Sequence, residues 1–298
     1  MAMNKSLPPK AERHRHFGSV DPILGTKPTE KDKMPDLQNK PADYYFPIQQ
    51  VGISKVKYPV MIESDLAPTV QTTTAEFALT TSLAAEYKGI NMSRLTEQLH
   101  IFYQSHILSV ETLREFAAIL AREMKQQSSN VQVSFPWFFT KASPAMGKEG
   151  MAHADVTYNV TFDEAQGYST QIILTAAVTT LCPCSKEISE YSAHNQRGFV
   201  TMTVTPVEGD QTDWKAILLE AAESNASSIL YPVLKRPDEK AVTERAYENP
   251  RFVEDLARLV AADLYENENV VAFEIECRNE ESIHQHDAIS KLAFTKQD

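Results

Sequence analysis

Hydrophobic and polar positions alternate with a period of two along much of this chain, which is typical of half-buried β-strands. In the first half, such strand patterns cover residues 51–62, 70–87, 131–140 and 151–162. Between the two pairs of strands, apolar residues recur at helical spacing, once after Ser93 and once after Ser109. The first half is therefore predicted to have the order ββααββ.

The second half repeats this order with different residues. Strand patterns cover residues 171–181, 197–206, 270–277 and 284–294, and helical patterns cover 214–224 and 250–265. Such an internal repeat predicts an α+β fold in which antiparallel sheets carry helices on one face. The exposed edges of these sheets predict association of strands between chains into a closed oligomeric barrel.

The first part of the chain shows no sustained period and is rich in proline, lysine, aspartate and glycine, as in GTKPTEKDKMPDLQNKPADYY. We predict an extended N-terminal arm over residues 1–46, a first module over 47–165 and a second module over 166–298. The second module is predicted to carry most of the residues that perform chemistry.

Charge and cysteine content narrow the class of protein. The net charge of −11 argues against general nucleic-acid binding, which depends on clustered lysine and arginine side chains. No segment has the apolar length of a membrane span, and the start has no apolar core typical of a signal peptide. Only three cysteines occur, whereas secreted proteins of this length usually carry several pairs. We expect a cytoplasmic protein that binds neither nucleic acid nor membrane.

Two of the cysteines, Cys182 and Cys184, follow an apolar strand pattern and stand near Lys186, His194 and Arg197. On an extended strand end their sulfurs would point to opposite sides, so one thiolate is favoured as a metal ligand or nucleophile. The alternative is that both cysteines are small buried hydrophobic residues, as free cysteines usually are. The cationic neighbours favour the thiolate and therefore the chemical role.

The segment 280–287 combines acids, among them Glu281, with the histidines His284 and His286. In a strand both histidines would face the same side, and a neutral imidazole is a common metal ligand. A pair of exposed surface histidines is the alternative, and both interpretations stay open.

The charged run 235–240 falls between two helical patterns. Such runs are usually solvated loops, but long connections often carry function. This run offers an acid, Glu239, for a metal and two cations for phosphate. Glu254, in a later helical pattern, is a surface carboxylate unless it binds a ligand.

Three blocks in this order, TTLCPCSKEIS with AHNQR, LKRPDEKAVTERAYENPRFVED, and ESIHQHDA, resemble the prokaryotic type IB GTP cyclohydrolases. The similarity covers nearly the whole chain, including KGINMSRL at residues 88–95. It implies a tandem tunnelling fold and a homotetramer with active sites at subunit interfaces. It also implies conversion of GTP and water to 7,8-dihydroneopterin triphosphate and formate in folate biosynthesis, with a cyclic phosphate product left open.

Carried over by position, Cys182, Glu239 and His284 resemble the family's metal-binding residues, the metal being Zn²⁺, Mn²⁺ or Fe²⁺. A divalent ion with one thiolate, one carboxylate and one neutral imidazole forms a neutral site, which favours Glu239 over Glu281 as the ligand. Glu281 then acts as an acid/base or orienting group. His194 is expected to protonate N7 of guanine while activated water attacks C8.

Glu254 resembles the glutamate that anchors the guanine edge, and Cys184 is expected near the substrate as a further catalytic thiol. Five cations are candidates for the triphosphate of GTP: Lys186, Arg197, Lys235, Arg236 and Lys88.

Two other functions compete. A tunnelling-fold nitrile reductase acting on a deazapurine would also use a cysteine and a purine-anchoring glutamate, but it binds NADPH and needs no metal. A non-enzymatic thiol or metal-binding protein built around Cys182 and Cys184 is the second alternative. Release of formate from GTP distinguishes a cyclohydrolase from both.

Overall fold

The computed structural model describes residues 8–17, 25–38 and 40–296. The chain divides into two compact units, Met1–Leu37 and Gln38–Asp298. In the described part of the first unit, helix α1 spans Lys10–Phe17 and a single 3-10 turn spans Lys31–Lys33. We predicted an extended arm over residues 1–46 without a helix, whereas the structure has α1 there. Residues 1–7, 18–24 and 39 of this arm lie outside the described residues. The module boundaries stay predictions.

The second unit contains the strands and the remaining helices. Its first half comprises β1 Ile48–Glu63, β2 Val70–Leu83, α2 Met92–Tyr103, α3 Val110–Met124, β3 Ser128–Ala142 and β4 Glu149–Asp163. Its second half comprises β5 Gly167–Leu181, α4 Pro183–Ile188, β6 Asn195–Pro206, α5 Trp214–Asn225, α6 Arg236–Glu248, α7 Val253–Glu266, β7 Val270–Asn279 and β8 Ala288–Thr295. The predicted ββααββ order is confirmed in both halves, with α4 and α6 added in the second. None of these helices is both long and apolar enough to cross a lipid bilayer.

The strands of the described residues form one antiparallel sheet, in which they follow one another in chain order from β1 to β8. We expected a separate small sheet in each half, but β4 pairs with β5 from Asp155 and Thr175 to Asp163 and Gly167. A tight hairpin makes this join possible, because Gly167 adopts a φ of +80°, which glycine tolerates without strain. The two halves therefore share a continuous sheet.

The hydrophobic core lies between the sheet and the helices, which cover one face. In α3, the side chains of Leu113, Phe116 and Leu120 recur at helical spacing and are completely buried. They pack with the alternate residues of β3, such as Val131 and Trp137. Each such side chain contributes about 1.5–3 kcal/mol when it is fully buried. This burial explains why the alternating pattern predicts the strands well.

Within residues 40–296, the opposite face of the sheet carries polar side chains and no helix packs on it. Asn130 Nδ2 donates to Asn159 Oδ1 at 2.7 Å across β3 and β4. The hydroxyls of Thr175 and Thr201 lie 2.9 Å apart across β5 and β6. Hydrogen bonds between neighbouring strands therefore satisfy much of this face.

Several strand termini lie together at one end of the sheet. Leu181, at the end of β5, pairs with Asn195 at the start of β6. Asn279, at the end of β7, pairs with Ala288 at the start of β8. We call the edge formed by Leu181, Asn195, Asn279 and Ala288 the site end, because Cys182, His194 and the segment 280–287 directly follow or precede these four.

Candidate functional site

Cys182 caps a short helix at the site end instead of extending strand β5. It is the N-cap of α4, and its sulfur accepts a hydrogen bond from the Ser185 amide at 3.5 Å. Pro183 occupies the first turn, where its fixed φ favours the start of a helix. The expectation that Cys182 and Cys184 lie on an extended strand end is therefore wrong. Cys182 is partly buried, whereas Cys184 is exposed.

Backbone contacts hold His194 against this turn. The Cys182 amide donates to the His194 carbonyl at 3.1 Å, and the His194 amide donates to Ser185 Oγ at 3.2 Å. The imidazole Nδ1 of His194 lies 2.9 Å from Gln196 Oε1 and 3.8 Å from Glu281 Oε2. The structure therefore brings Cys182, His194 and Glu281, all selected from the sequence, into one neighbourhood.

Arg278 holds both ends of the segment 280–287, which connects β7 to β8. Its Nη1 donates to Glu280 Oε1 at 3.2 Å and to Asp287 Oδ2 at 2.7 Å. Its guanidinium carbon lies 4.6 Å from the centroid of the Phe199 ring. A planar guanidinium suits both kinds of contact. The sequence analysis did not select Arg278, although its position shortly before the segment with two histidines was a usable signal.

His284 and His286 lie in the connecting turn and not in a strand as predicted, because β8 begins only at Ala288. Both side chains are exposed. Their rings stack, with centroids 4.8 Å apart and an angle of 13° between the planes. The two imidazoles therefore still face the same way, although a turn and not strand alternation brings them together.

The charged run 235–240 begins a helix and is not the loop that we expected. This helix, α6, has Pro237 in its first turn, where proline is well tolerated. Periodicity could not reveal it, because only Asp238 and Ala246 of α6 are buried and no apolar stripe forms. The three candidate site residues of this run are exposed at the N-terminal end of α6: Lys235, Arg236 and Glu239.

The side chain of Asp238 connects the start of α6 to the turn between β3 and β4 by hydrogen bonds. Its Oδ1 accepts hydrogen bonds from the amides of Ala145 and Met146, each at 2.8 Å, and its Oδ2 accepts from the Lys235 amide at 2.9 Å. The side chain is completely buried. Burial alone would raise the pKa of Asp238, but these backbone donors outweigh it and hold the pKa below its ordinary value. No local sequence pattern indicates this role, because the partner turn is distant along the chain.

We expect Asp238→Asn to lower the melting temperature by several degrees at neutral pH, because both carboxylate oxygens accept hydrogen bonds here, whereas an amide has only one acceptor oxygen and sets its NH₂ against a backbone donor. Since folding lowers the pKa of Asp238, its contribution is complete above the ordinary value of 3.8 and is lost as the pH falls below it. Melting temperatures measured across this range should therefore converge in acid. The control is Glu244→Gln, which removes an exposed ion pair of α6 with Lys240. A gap between Asp238→Asn and the wild type that stays constant into acid would contradict the assignment.

Lys186 connects α4 to α6, and Arg251 connects the end of β5 to the segment before α7. Lys186 Nζ donates to the Tyr247 carbonyl at 2.5 Å and lies 4.3 Å from the centroid of the Tyr247 ring. The Arg251 amide donates to the Leu181 carbonyl at 2.9 Å. Because α7 begins directly after this contact, Glu254 in its first turn lies near the end of β5, with its side chain exposed.

The cations selected for the triphosphate do not gather in one place. Arg197 is exposed on β6 at the site end. Lys88 follows β2, and the strand pairing sets the end of β2 level with the start of β5, at the far end of the sheet. Strand β5 has 15 residues, which corresponds to about 50 Å of extended chain. A triphosphate at the site end therefore cannot contact Lys88 of the same chain.

The predicted metal ligands Cys182, Glu239 and His284 suit a divalent transition metal by their chemistry, since thiolate, carboxylate and imidazole are its usual donors. In the part of the chain that the structure describes, no three side chains of His, Cys, Asp or Glu are arranged as a metal site. The metal assignment therefore stays a prediction.

Two clefts lie away from these residues. One is beside Arg114 and Tyr168, and the other is beside Asp213 and Lys215. Neither cleft is lined by any of the candidate site residues. Neither of these two clefts is therefore assigned to the candidate chemistry.

Comparison with known proteins decides which family has this combination of fold and residues. Residues 34–290 match the sequence family described as type I GTP cyclohydrolase folE2. The chain belongs to the FolE2 family. The relative named GTP cyclohydrolase FolE2 in Halalkalibacterium halodurans is 61% identical over 98% of this chain and 99% of that protein. The relative of the same name in Bacillus subtilis is 57% identical over 100% of this chain and 99% of that protein.

The fold of this FolE2 member is shared with a solved structure of very different sequence. The uricase of Arthrobacter globiformis aligns with a TM-score of 0.52 over 84% of this chain and 94% of that chain, at 8% identity. At this identity the likeness concerns the fold alone. The predicted α+β tandem fold is confirmed, and the resemblance to GTP cyclohydrolases is confirmed at the level of the type I family.

Proposed function

We propose that this chain is a metal-dependent GTP cyclohydrolase of prokaryotic type IB, which converts GTP and water to 7,8-dihydroneopterin triphosphate and formate. This reaction is the first step of folate biosynthesis. The observation that carries the proposal is the neighbourhood of Cys182, His194 and Glu281 at the site end, with 3.8 Å between His194 Nδ1 and Glu281 Oε2. Membership of the FolE2 family supports GTP as the substrate.

The residues at the site end suit the proton transfers of this reaction. Both bonds from C8 of guanine to nitrogen must break before C8 leaves as formate, so protons are removed from water and delivered to nitrogen. An imidazole and a carboxyl group in one neighbourhood can carry these protons in successive steps. In the proposal, His194 delivers a proton to N7, and Glu281 assists as an acid/base or orienting group.

Cys182, Glu239 and His284 would hold the metal, which is Zn²⁺, Mn²⁺ or Fe²⁺ in this proposal. When bound, a divalent metal supplies Lewis acidity that lowers the pKa of water at the site. Cys184, exposed in α4, stands two residues beyond Cys182 and is assigned to the substrate side.

Substrate recognition is assigned to the start of α7 and to the surrounding cations. One carboxylate at Glu254 can accept hydrogen bonds from both N1–H and the exocyclic amine of guanine, which adenine cannot match. The triphosphate is assigned to four cations: Lys186, Arg197, Lys235 and Arg236. Lys186 is already oriented by its contact with Tyr247, which supports a fixed place for its charge.

We propose that the chain acts in the cytoplasm as a homotetramer with active sites between subunits. Both edge strands carry exposed apolar side chains, such as Met61 on β1 (45% exposed) and Ile289 on β8 (54% exposed). Edge strands of this kind favour pairing with another chain. Sedimentation equilibrium should give four times the chain mass of 33.5 kDa, and a monomer at assay concentration would contradict the assembly.

The function is tested by removing metals with a chelator, adding back single divalent metals and identifying the products of GTP by mass. We expect a dihydroneopterin phosphate together with formate, only after metal is restored. Unchanged GTP with every metal would contradict the proposal. A cyclic phosphate instead of the triphosphate would keep the cyclohydrolase activity and change only the final product.

A further inference from the structure

Gln196 is a buried residue of β6 that contacts His194 on one side and Thr180 on the other. Its Oε1 lies 2.9 Å from His194 Nδ1, and its Nε2 donates to Thr180 Oγ1 at 3.0 Å. Gln196 is 8% exposed, and Thr180, directly opposite in β5, is completely buried. The pairing of the two strands therefore fixes the place of this amide. The Thr180 hydroxyl can accept or donate, so the Glu281 carboxylate, 3.8 Å from His194 Nδ1, decides the orientation: it favours N–H at Nδ1 and therefore the amide oxygen facing it.

His194 Nδ1 faces two acceptor oxygens. Gln196 Oε1 lies at 2.9 Å and Glu281 Oε2 at 3.8 Å. A ring nitrogen without hydrogen would direct its lone pair at both oxygens, which is repulsive. A ring N–H donates to the amide oxygen and is attracted to the carboxylate. The neutral ring of His194 therefore carries its hydrogen on Nδ1 and its lone pair on Nε2.

We propose that Gln196 is a positioning residue that fixes the tautomer of His194 and makes Nε2 the atom that gives and takes protons. The inference deepens the proposed function and rests on it, since there His194 carries protons to and from the purine. Nδ1 keeps its hydrogen in both protonation states of the ring, so the bond to Gln196 persists when Nε2 gains or loses a proton. The ring therefore needs no rotation between successive proton transfers.

The tautomer can be measured without metal or substrate. Protein labelled with ¹⁵N-histidine is examined by solid-state NMR at about pH 8.5, well above the ordinary histidine pKa of about 6.5. The signals of His194 are those that disappear in His194→Asn. We expect a protonated Nδ1 and an unprotonated Nε2. The reverse assignment in the wild type would overturn the proposal.

Kinetics of two variants of Gln196 separate positioning from a structural effect. Gln196→Leu removes the acceptor and is expected to lower kcat by about 10–100-fold with little change in KM for GTP, and to lose the Nδ1–H tautomer. Gln196→Glu retains an acceptor oxygen and should restore both the tautomer and most of kcat. The matched control is Gln171→Leu in β5, which removes an amide that accepts from Asn159 on the helix-free face. It should behave as the wild type.

The other possible results of these experiments also decide whether Gln196 positions His194. Wild-type kcat in folded Gln196→Leu would overturn the proposal, as would a kcat loss with an unchanged tautomer. If Gln196→Leu does not fold, Thr180→Val releases the amide while keeping the size of the side chain, and unchanged kcat and tautomer there would equally overturn it. If the wild type releases no formate from GTP, the proposed function fails, whereas the tautomer measurement still decides whether Gln196 orients His194.

Discussion

Replacing Cys182 by serine is expected to lower kcat/KM for GTP by at least about 10³-fold while leaving the fold intact. A serine hydroxyl is not ionised at neutral pH and is a poor substitute for a thiolate as a metal ligand or nucleophile. Cys182 is the N-cap of α4, and serine is a preferred residue at that position. The substitution therefore changes the chemistry of the site but retains the hydrogen bond that begins the helix. The measurements are steady-state kinetics, metal content and melting temperature.

Cys184→Ser is the matched control, because Cys184 lies two residues further along and is exposed. Its loss of kcat/KM should be much smaller than that of Cys182→Ser, and its metal content should equal that of the wild type. Cys277 does not complicate the comparison, since burial raises its pKa to about 12 and keeps it a neutral thiol. Full metal content and full turnover in Cys182→Ser would show that this cysteine has no chemical role.

Replacing Glu254 by glutamine is expected to lower kcat/KM for GTP by about 10³-fold, equivalent to about 4 kcal/mol. A carboxylate accepts from N1–H and the exocyclic amine together, whereas an amide presents one acceptor and one donor to the same edge. The variant should also discriminate less between GTP and inosine triphosphate, which lacks the exocyclic amine. Kinetics with both nucleotides check both expectations.

Asp255→Asn provides the control for this second experiment. Asp255 is the next residue of α7, but its carboxylate pairs with Arg258 at 3.1 Å on the exposed surface. Removing an exposed pair of this type changes stability little. We expect kcat/KM close to that of the wild type. Equal losses in Glu254→Gln and Asp255→Asn would argue that the charge of the helix start, and not a specific guanine contact, is responsible.

Most of the fold could be predicted from the sequence because its elements bury one face against a common core. The strands alternate, and α3 has a stripe through Leu113, Phe116 and Leu120, so a period of two or of 3.6 is visible in each. Helix α6 could not be found in this way, since it contributes only Asp238 and Ala246 to the interior. Its stability depends on the distant turn at Ala145, which leaves no local pattern.

Site residues could be predicted where several reactive side chains stand close together in the sequence. They could not be predicted where the contact depends on which residues pair between neighbouring strands. Cys182, His194 and Glu281 stand in segments with unusual composition, and the structure brings them together. Gln196 contacts Thr180, and Arg278 contacts Phe199, because the strand pairing sets these residues opposite each other. A shift of one residue in the pairing would move such a side chain to the other face. These two cross-strand contacts therefore become visible only in the folded sheet.

Whether this chain releases C8 of GTP as formate is measured with GTP labelled with ¹³C at C8 and metal-restored protein. Cyclohydrolase action predicts that the label appears as ¹³C-formate in equal amount to the dihydroneopterin product, and that Cys182→Ser, purified in the same way, releases it at least about 10³-fold more slowly. Label that stays in the purine, with GTP unchanged or converted only to GDP and phosphate, would contradict the account.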